Sequence, residues 1–90
     1  STTLGRRDYA LFAFMFNTGV RVQEALDLRV QDLRFEAPPQ VRICGKGNKT
    51  RICPLWPATT RLLRALIAER PADATARVFT NARGQPMTRY

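Results

Sequence analysis

The spacing of apolar positions along the chain predicts three helices. The first covers Arg6–Phe16 and ends before Gly19, a residue that accepts the left-handed backbone common after helices. The second covers Val20–Leu28, and the third, Pro57–Arg70, begins with a proline that fits a first helical turn. The apolar faces predicted for these helices are Tyr9, Phe12, Ala13 and Phe16, flanked by Leu11 and Met15; Val22, Ala25 and Leu26; and Leu62, Leu63, Leu66 and Ile67.

A two-residue alternation of apolar and polar positions predicts β-strands at Gln40–Cys44 and Thr50–Leu55. Gly47-Asn48 between them is a suitable turn centre, because both residue types tolerate positive φ. A shorter candidate strand lies at Arg77–Thr80, whereas Arg29–Phe35 is predicted to be a connector. The predicted fold class is therefore α+β, with helices packed on a small antiparallel β-sheet of two or three strands.

The position of the turn also predicts how the two cysteines are arranged. A turn centred on Gly47-Asn48 would place Ile43 opposite Ile52 and leave Cys44 and Cys53 as diagonal neighbours on one face. We expect both thiols to act as small buried hydrophobes, with a disulfide between them left as an alternative. The chain has no histidine and no Cys-x-x-Cys pair, so we expect no metal site.

The charge of the chain is strongly and locally positive. The 15 lysines and arginines oppose 7 acidic residues, which gives a net charge of +8 and an isoelectric point of about 11.1. A concentrated positive field of this kind favours a polyanion such as nucleic acid, and the alternative is a basic, solvated surface. No acidic residue lies between Glu36 and Glu69, an interval that contains Arg42, Lys46, Lys49, Arg51, Arg61 and Arg64.

Length and apolar content limit the class of protein. Ninety residues correspond to one small domain, and a hydrophobic content of 44% is too high for a disordered tail. The longest apolar run, Tyr9–Phe16, is far shorter than the ~18 residues that a membrane-spanning helix needs. We therefore expect a soluble cytoplasmic protein without a membrane segment.

Two local features suit phosphate chemistry, although each has an ordinary alternative. Arg21 and Glu24 stand three positions apart on the second helix, where a guanidinium matches two phosphate oxygens or simply forms a surface ion pair. Lys46 and Lys49 flank the turn and suit proton donation to a leaving oxygen, or face solvent. The stretch is not a P-loop, because Gln40 stands where the first glycine is required, and we expect no nucleotide.

Two motifs and the link between them form a longer pattern. Thr18–Leu26 has the sequence T-G-V-R-V-Q-E-A-L, and Gly45–Leu55 has the sequence G-K-G-N-K-T-R-I-C-P-L. Leu28–Leu33 fits a Leu-x-x-x-Asp-hydrophobic link between the two. In this order and spacing the segments resemble the first half of the catalytic domain of tyrosine recombinases, the phage-integrase and Xer-like family. The resemblance extends over roughly Arg6–Thr88.

The resemblance implies a site-specific recombinase that cuts and rejoins DNA through a 3′-phosphotyrosyl link, without metal, nucleotide or other cofactor. By the residue match, Arg21 would bind the scissile phosphate and Glu24 would support Arg21. Lys46 would protonate the departing 5′ hydroxyl. The expected partner is double-stranded DNA, and further contacts to it are expected from Thr18, Arg42, Lys49 and Arg51.

The later catalytic boxes of that family have no match in the chain. There is no His-x-x-Arg motif, Tyr9 is expected in the core, and Tyr90 comes before the place of the family's nucleophile. We therefore expect residues 1–90 to be a partial catalytic domain that does not cleave DNA alone. The alternatives are a non-catalytic, sequence-indifferent DNA-binding module and a remnant that self-associates into a homodimer or larger assembly.

Overall fold

The computed structural model describes residues 3–81, 85 and 87 of the chain. Within these residues, three α-helices pack with a three-stranded antiparallel sheet of order β1-β2-β3, which confirms the predicted α+β class. Short 3-10 turns span Val30–Asp32 and Lys46–Asn48. The elements are α1 (Thr3–Thr18), α2 (Val22–Leu26), β1 (Leu33–Arg34), β2 (Gln40–Cys44), β3 (Thr50–Pro54) and α3 (Pro57–Ala68).

Helix α1 buries a different face from the one that its aromatic spacing predicts. Ala10, Leu11 and Phe14 face the core, and α1 packs against α3. The helix has apolar side chains of its own on most of its faces, so their spacing alone does not determine which face is buried. The core role expected for Tyr9 is therefore wrong. The exposed aromatic residues of the predicted face are Tyr9 (67%), Phe12 (67%) and Phe16 (82%).

The centre of the core is a pair of aromatic rings from the two ends of the chain. Phe14 and Phe79 are both fully buried, and their ring centroids lie 5.9 Å apart with the planes tilted by 51°.

The apolar faces predicted for α2 and α3 are buried in part. The buried positions are Ala25, Leu26, Leu63 and Leu66, and the partly exposed ones are Val22, Leu62 and Ile67.

The connection between α1 and α2 determines where the second helix begins. Gly19 has a φ of +72°, as predicted, and its N–H donates to the Met15 carbonyl at 2.8 Å. Arg21 is extended, with φ −75° and ψ 157°, so that α2 starts at Val22 rather than at Val20. The short helix ends at Leu26, and this places Arg21 at its very beginning.

The side chain of Asn17 joins the end of α1 to the junction between β3 and α3. Its Nδ2 donates to the Pro54 carbonyl at 3.1 Å, and its Oδ1 accepts from the Trp56 N–H at 2.8 Å. One amide group thus satisfies two backbone groups that no strand or helix partner uses.

The hairpin has the predicted strands but a different register. Gly47 and Asn48 both have positive φ, at +76° and +61°, as expected for the turn. The turn is nevertheless one residue longer than a two-residue hairpin loop, because the Gly45 N–H donates to the Lys49 carbonyl at 2.7 Å across a 3-10 turn. The prediction that Ile43 faces Ile52 is therefore wrong, since Ile43 pairs with Arg51.

The shifted register separates the two cysteines. Cys44 pairs with Thr50 and Cys53 pairs with Val41, so the two side chains lie on opposite faces of the sheet. Both thiols are free, Cys44 is exposed, and Cys53 packs partly against the core. The predicted shared face and the buried role for Cys44 are both wrong, because one residue of register reverses the face of every side chain in the strand.

The last described segment is held without forming a strand. Arg77 makes one isolated antiparallel bridge with Arg29, and the Val78 N–H donates to the Leu28 carbonyl at 2.9 Å. The strand predicted at Arg77–Thr80 is thus reduced to isolated bridge residues, Arg77 and Thr80. The connector predicted at Arg29–Phe35 contains instead the short strand β1, which pairs with the start of β2.

Candidate nucleic-acid interface

The backbone of Arg21 is held at the start of α2 by the side chain of Glu24. The Glu24 carboxylate accepts the Arg21 N–H through Oε1 at 3.0 Å, which is one half of a capping box. The other half needs an acceptor that a guanidinium does not have. The support that Glu24 gives Arg21 therefore includes a bond to the backbone, and the Arg21 side chain remains exposed to solvent.

The same carboxylate also contacts the hairpin. Glu24 Oε1 lies 3.5 Å from Arg51 Nη2, and the exposed fractions of the two side chains are 18% and 49%. A methyl group added at Gly45 would lie 3.0 Å from Glu24 Oε2, which is closer than side-chain carbons normally approach. The base of the hairpin therefore packs closely on the first turn of α2, and Gly45 permits that approach.

Glu24 is more acidic than an ordinary glutamate. The hydrogen bond from the Arg21 backbone N–H is the largest cause that lowers the pKa of Glu24, followed by the interaction with Arg51. Partial burial acts in the opposite direction, because it disfavours the charged form. The pKa lies below its usual value of 4.5, so Glu24 carries its negative charge at neutral pH.

This lowered pKa predicts a dependence of stability on pH. The ionised Glu24 stabilises the fold fully above its usual pKa of 4.5, and this contribution is lost as the pH falls through the lower pKa of the folded state. We expect wild type to exceed Glu24→Gln in melting temperature near neutral pH, and the difference to shrink below pH 4.5. Glu36→Gln, which removes an exposed carboxylate, is the control; an identical profile for both variants would contradict the prediction.

Arg21, Glu24 and the hairpin enclose an open cleft of about 820 Å³. Three basic side chains and two acidic ones lie along it, so its charge is mixed, with a positive excess. The residues that line the cleft are Gly19, Arg21, Gln23, Glu24, Asp27, Cys44, Gly45, Lys49, Thr50 and Arg51.

The structure brings together four of the residues predicted for the site and separates two others. Arg21, Glu24, Lys49 and Arg51 share the cleft. The Thr18 hydroxyl instead donates back to the Phe14 carbonyl at 2.8 Å. Arg42 pairs with Asp32 at 3.1 Å and lines a neighbouring cavity of about 320 Å³. The backbone of Lys46 forms the first position of the hairpin turn, and its side chain lies outside the described residues.

Several cleft residues are absent from the sequence-based prediction. The sequence could have indicated one of them, Gly45, because it begins a Gly-Lys-Gly motif and glycine often lies where two groups approach closely. Asp27 had no such signal. Its carboxylate accepts from Gln23 Nε2 at 2.9 Å and lies 3.8 Å from Arg77, so it links the cleft to the last segment.

Part of the positive charge has an internal role. Arg29 donates to the Thr75 carbonyl at 2.6 Å, and Arg70 donates to the carbonyls of Arg77 and Val78 at 3.1 and 2.7 Å. These guanidinium groups hold the segment that carries Phe79 into the core. The charge excess calculated from the sequence therefore overstates the number of cations available to an external anion.

The exposed Arg21 lines one cleft with Lys49 and Arg51 of the hairpin. Guanidinium and ammonium groups brought together in this way are chemically suited to bind an anion. The chain belongs to the phage integrase family, whose family model matches residues 1–90. It is 38% identical over 93 residues to tyrosine recombinase XerD of Corynebacterium glutamicum, and 37% identical over 95 residues to tyrosine recombinase XerD of Listeria innocua. Each alignment covers 99% of this chain.

Solved structures show the same fold. The crystal structure of the XerH site-specific recombinase in a post-cleavage complex with a palindromic difH substrate has a TM-score of 0.79 and 29% identity, and covers 98% of this chain. The crystal structure of XerA recombinase matches with a TM-score of 0.77, 21% identity and 92% coverage, and supports the fold alone. The chain spans 30% and 32% of the two XerD relatives and 26% of the XerH chain. Among the described residues, no helix has the length and apolarity to cross a membrane.

Proposed function

We propose that residues 1–90 form the phosphate-binding part of the catalytic domain of a site-specific DNA recombinase. The observation that carries the proposal is the exposed Arg21, whose backbone N–H is held at the start of α2 by Glu24 and which lines one cleft with the hairpin residues Lys49 and Arg51. The XerH relative, crystallised with its difH substrate, supports double-stranded DNA as the partner. A DNA substrate is also the reason that we propose a cytoplasmic location, with no membrane partner and no nucleotide.

In this proposal the residues of the cleft act on one phosphodiester. Arg21 binds the non-bridging oxygens, where negative charge grows as a nucleophile attacks phosphorus. Glu24 keeps Arg21 in place, and Lys49 adds positive charge beside the sugar–phosphate backbone of the DNA. Lys46 donates a proton to the departing 5′ oxygen. The attacking group is a tyrosine outside the two matched motifs. Its phenolic oxygen bonds to phosphorus as the bond between phosphorus and the 5′ oxygen breaks, which leaves a 3′-phosphotyrosyl link. No cofactor takes part.

The contribution of Arg21 is tested by its removal. We expect Arg21→Ala to weaken binding to a short DNA duplex about tenfold, or about 1.4 kcal/mol, because a charged hydrogen-bonding group is lost from the phosphate. The fold is expected to persist, since the guanidinium is exposed and the backbone bond to Glu24 remains. Fluorescence anisotropy measures the affinity. Arg61→Ala removes the same charge from the exposed side of α3 and is the control; an equal loss in both variants would contradict a specific role.

A specific observation also favours self-association. Tyr9, Phe12, Phe16 and Trp56, which we call the aromatic surface, are all exposed, and the rings of Phe16 and Trp56 contact each other edge to face at 5.9 Å. Exposed apolar patches of this kind mark interfaces. We propose that the isolated chain forms a homodimer or larger assembly through this surface.

Light scattering tests this second proposal. We expect the chain to have the mass of a dimer or larger species at tens of micromolar. Phe16→Ser should shift the mass toward the monomer, since it removes the most exposed ring. Lys49→Ser, which changes an exposed residue outside the aromatic surface, should leave the assembly unchanged. A monomeric wild type would refute the proposal.

A further inference from the structure

We propose that Arg51 is a positioning residue: through Glu24 it holds the base of the hairpin against the start of α2, and so keeps Arg21 and Lys49 at a fixed spacing. This inference rests on the proposed function for its consequence in DNA binding. The positioning role itself is a property of the free protein.

The register of the hairpin determines on which face of the sheet the Arg51 side chain lies. Arg51 pairs with Ile43, and Ile43 is 2% exposed, so both side chains lie on the core-facing side of the sheet. A surface arginine would normally extend from the opposite face, which here carries Arg42 and Cys44. The placement of Arg51 therefore leads its guanidinium toward the protein, where it lies 3.5 Å from Glu24 Oε1.

Glu24 joins three segments through one carboxylate. Its Oε1 accepts the Arg21 N–H at 3.0 Å and pairs with Arg51, while its Oε2 lies against Gly45. Gly45 directly precedes the turn, and its N–H donates to the Lys49 carbonyl across that turn. The start of α2, the residue before the turn and the second residue of β3 thus meet at a carboxylate whose side chain is only 18% exposed.

The charges in the cleft separate positioning from binding. The positive charge of Arg51 is already opposed by Glu24, so a phosphate gains little from Arg51 unless the pair breaks. Lys49, by contrast, is exposed and makes no ion pair with the acidic residues that the structure describes. We assign the phosphate contacts in the cleft to Arg21 and Lys49, and the spacing between these two residues to Arg51.

The first experiment needs no DNA. The carboxyl titration of Glu24 is followed by carbon-detected NMR in wild type, Arg51→Gln, Arg51→Lys and the control Arg61→Gln. We expect the pKa of Glu24 to rise in Arg51→Gln and to be largely restored in Arg51→Lys. Amide exchange at Gly45 should accelerate in Arg51→Gln, because the hairpin base is released. Unchanged Glu24 titration and Gly45 exchange in Arg51→Gln would overturn the positioning role.

The second experiment uses the double variant Glu24→Gln/Arg51→Gln, whose net charge equals that of wild type. If Arg51 binds phosphate, the slope of log affinity against log salt falls in magnitude by about 0.9 in the double variant. If Arg51 is a positioning residue, the slope is unchanged while the affinity drops. In that background Arg21→Ala should also cost clearly less than tenfold, since Arg21 and the hairpin no longer act together. A slope reduced by one contact, or an undiminished Arg21 effect, would overturn the proposal.

The two experiments also separate this inference from the proposed function. If wild type does not bind DNA, the proposed function fails, and the titration of Glu24 still decides whether Arg51 holds the hairpin. If wild type binds DNA and the pKa of Glu24 is the same in wild type and Arg51→Gln, the proposed function stands and the positioning role of Arg51 is refuted.

Discussion

Replacing Phe14 by alanine is expected to lower the free energy of unfolding by about 3–5 kcal/mol. Phe14 is fully buried and its ring packs on Phe79 at 5.9 Å, so the substitution removes a large apolar group and leaves a cavity at the centre of the core. Native domains have a total stability of only about 5–15 kcal/mol, so the substitution should remove a large fraction of it and shift the unfolding transition to lower urea concentration. Urea denaturation followed by circular dichroism measures the change.

The same helix provides the control. Phe12 lies two residues away and is 67% exposed, so Phe12→Ala, measured at a concentration low enough to keep the chain monomeric, should change the free energy of unfolding by no more than about 0.5 kcal/mol. Phe14→Leu, which fills most of the cavity, should give an intermediate loss if Phe14→Ala does not fold. Equal losses at positions 12 and 14 would show that the buried face of α1 is not the one described here.

Raising the salt concentration from about 50 to about 200 mM is expected to weaken DNA binding roughly 250-fold, which corresponds to a log–log slope of about −4. Four to six phosphate contacts would give slopes of about −4 to −5. The lower end applies because two of the cations predicted to contact DNA, Arg42 and Arg51, already face acidic partners. Anisotropy titrations at several salt concentrations measure the slope.

Two duplexes of unrelated sequence serve as the comparison for this prediction. Contacts to phosphates carry no sequence information, so both duplexes should give the same affinity and the same slope. An affinity that does not change with salt would contradict phosphate binding by the cleft. A large preference for one duplex would point instead to base contacts that the cleft residues do not provide.

The sequence predicted the strands of the hairpin better than their pairing. Alternation located β2 from Gln40 to Cys44, and Gly47 and Asn48 have the positive φ that their residue types allow. The register depends on the length of the loop, which is set by the bond from the Gly45 N–H to the Lys49 carbonyl. Alternation contains no information about that bond, so the prediction was wrong by one residue.

The same limit explains what could be predicted of the site. Arg21 and Glu24 lie in one local motif, so their proximity follows from helical spacing. The ion pair between Glu24 and Arg51 joins two distant segments and depends on the register of the hairpin. In the predicted register Arg51 would lie opposite Cys44, on the other face of the sheet. Nonlocal contacts of this kind become visible only when the register is known.

The face of α1 was mispredicted for a different reason. Tyr9, Phe12 and Phe16 have helical spacing and large apolar rings, and these are the usual marks of a buried stripe. Ala10, Leu11 and Phe14 form a second apolar stripe on the same helix. Two competing stripes leave the choice to tertiary packing, and α3 covers the second.

The amide of Asn17 makes one position of the chain intolerant of a change that preserves its shape. Asn17 both donates to the Pro54 carbonyl and accepts from the Trp56 N–H. An aspartate would keep the second bond, but its acceptor-only oxygens would repel the Pro54 carbonyl. Asn17 precedes the Thr18-Gly19 step that leads to Arg21, so loss of one hydrogen-bond donor here would weaken the contact between the end of α1 and the end of β3, and with it the support of the segment that leads to Arg21.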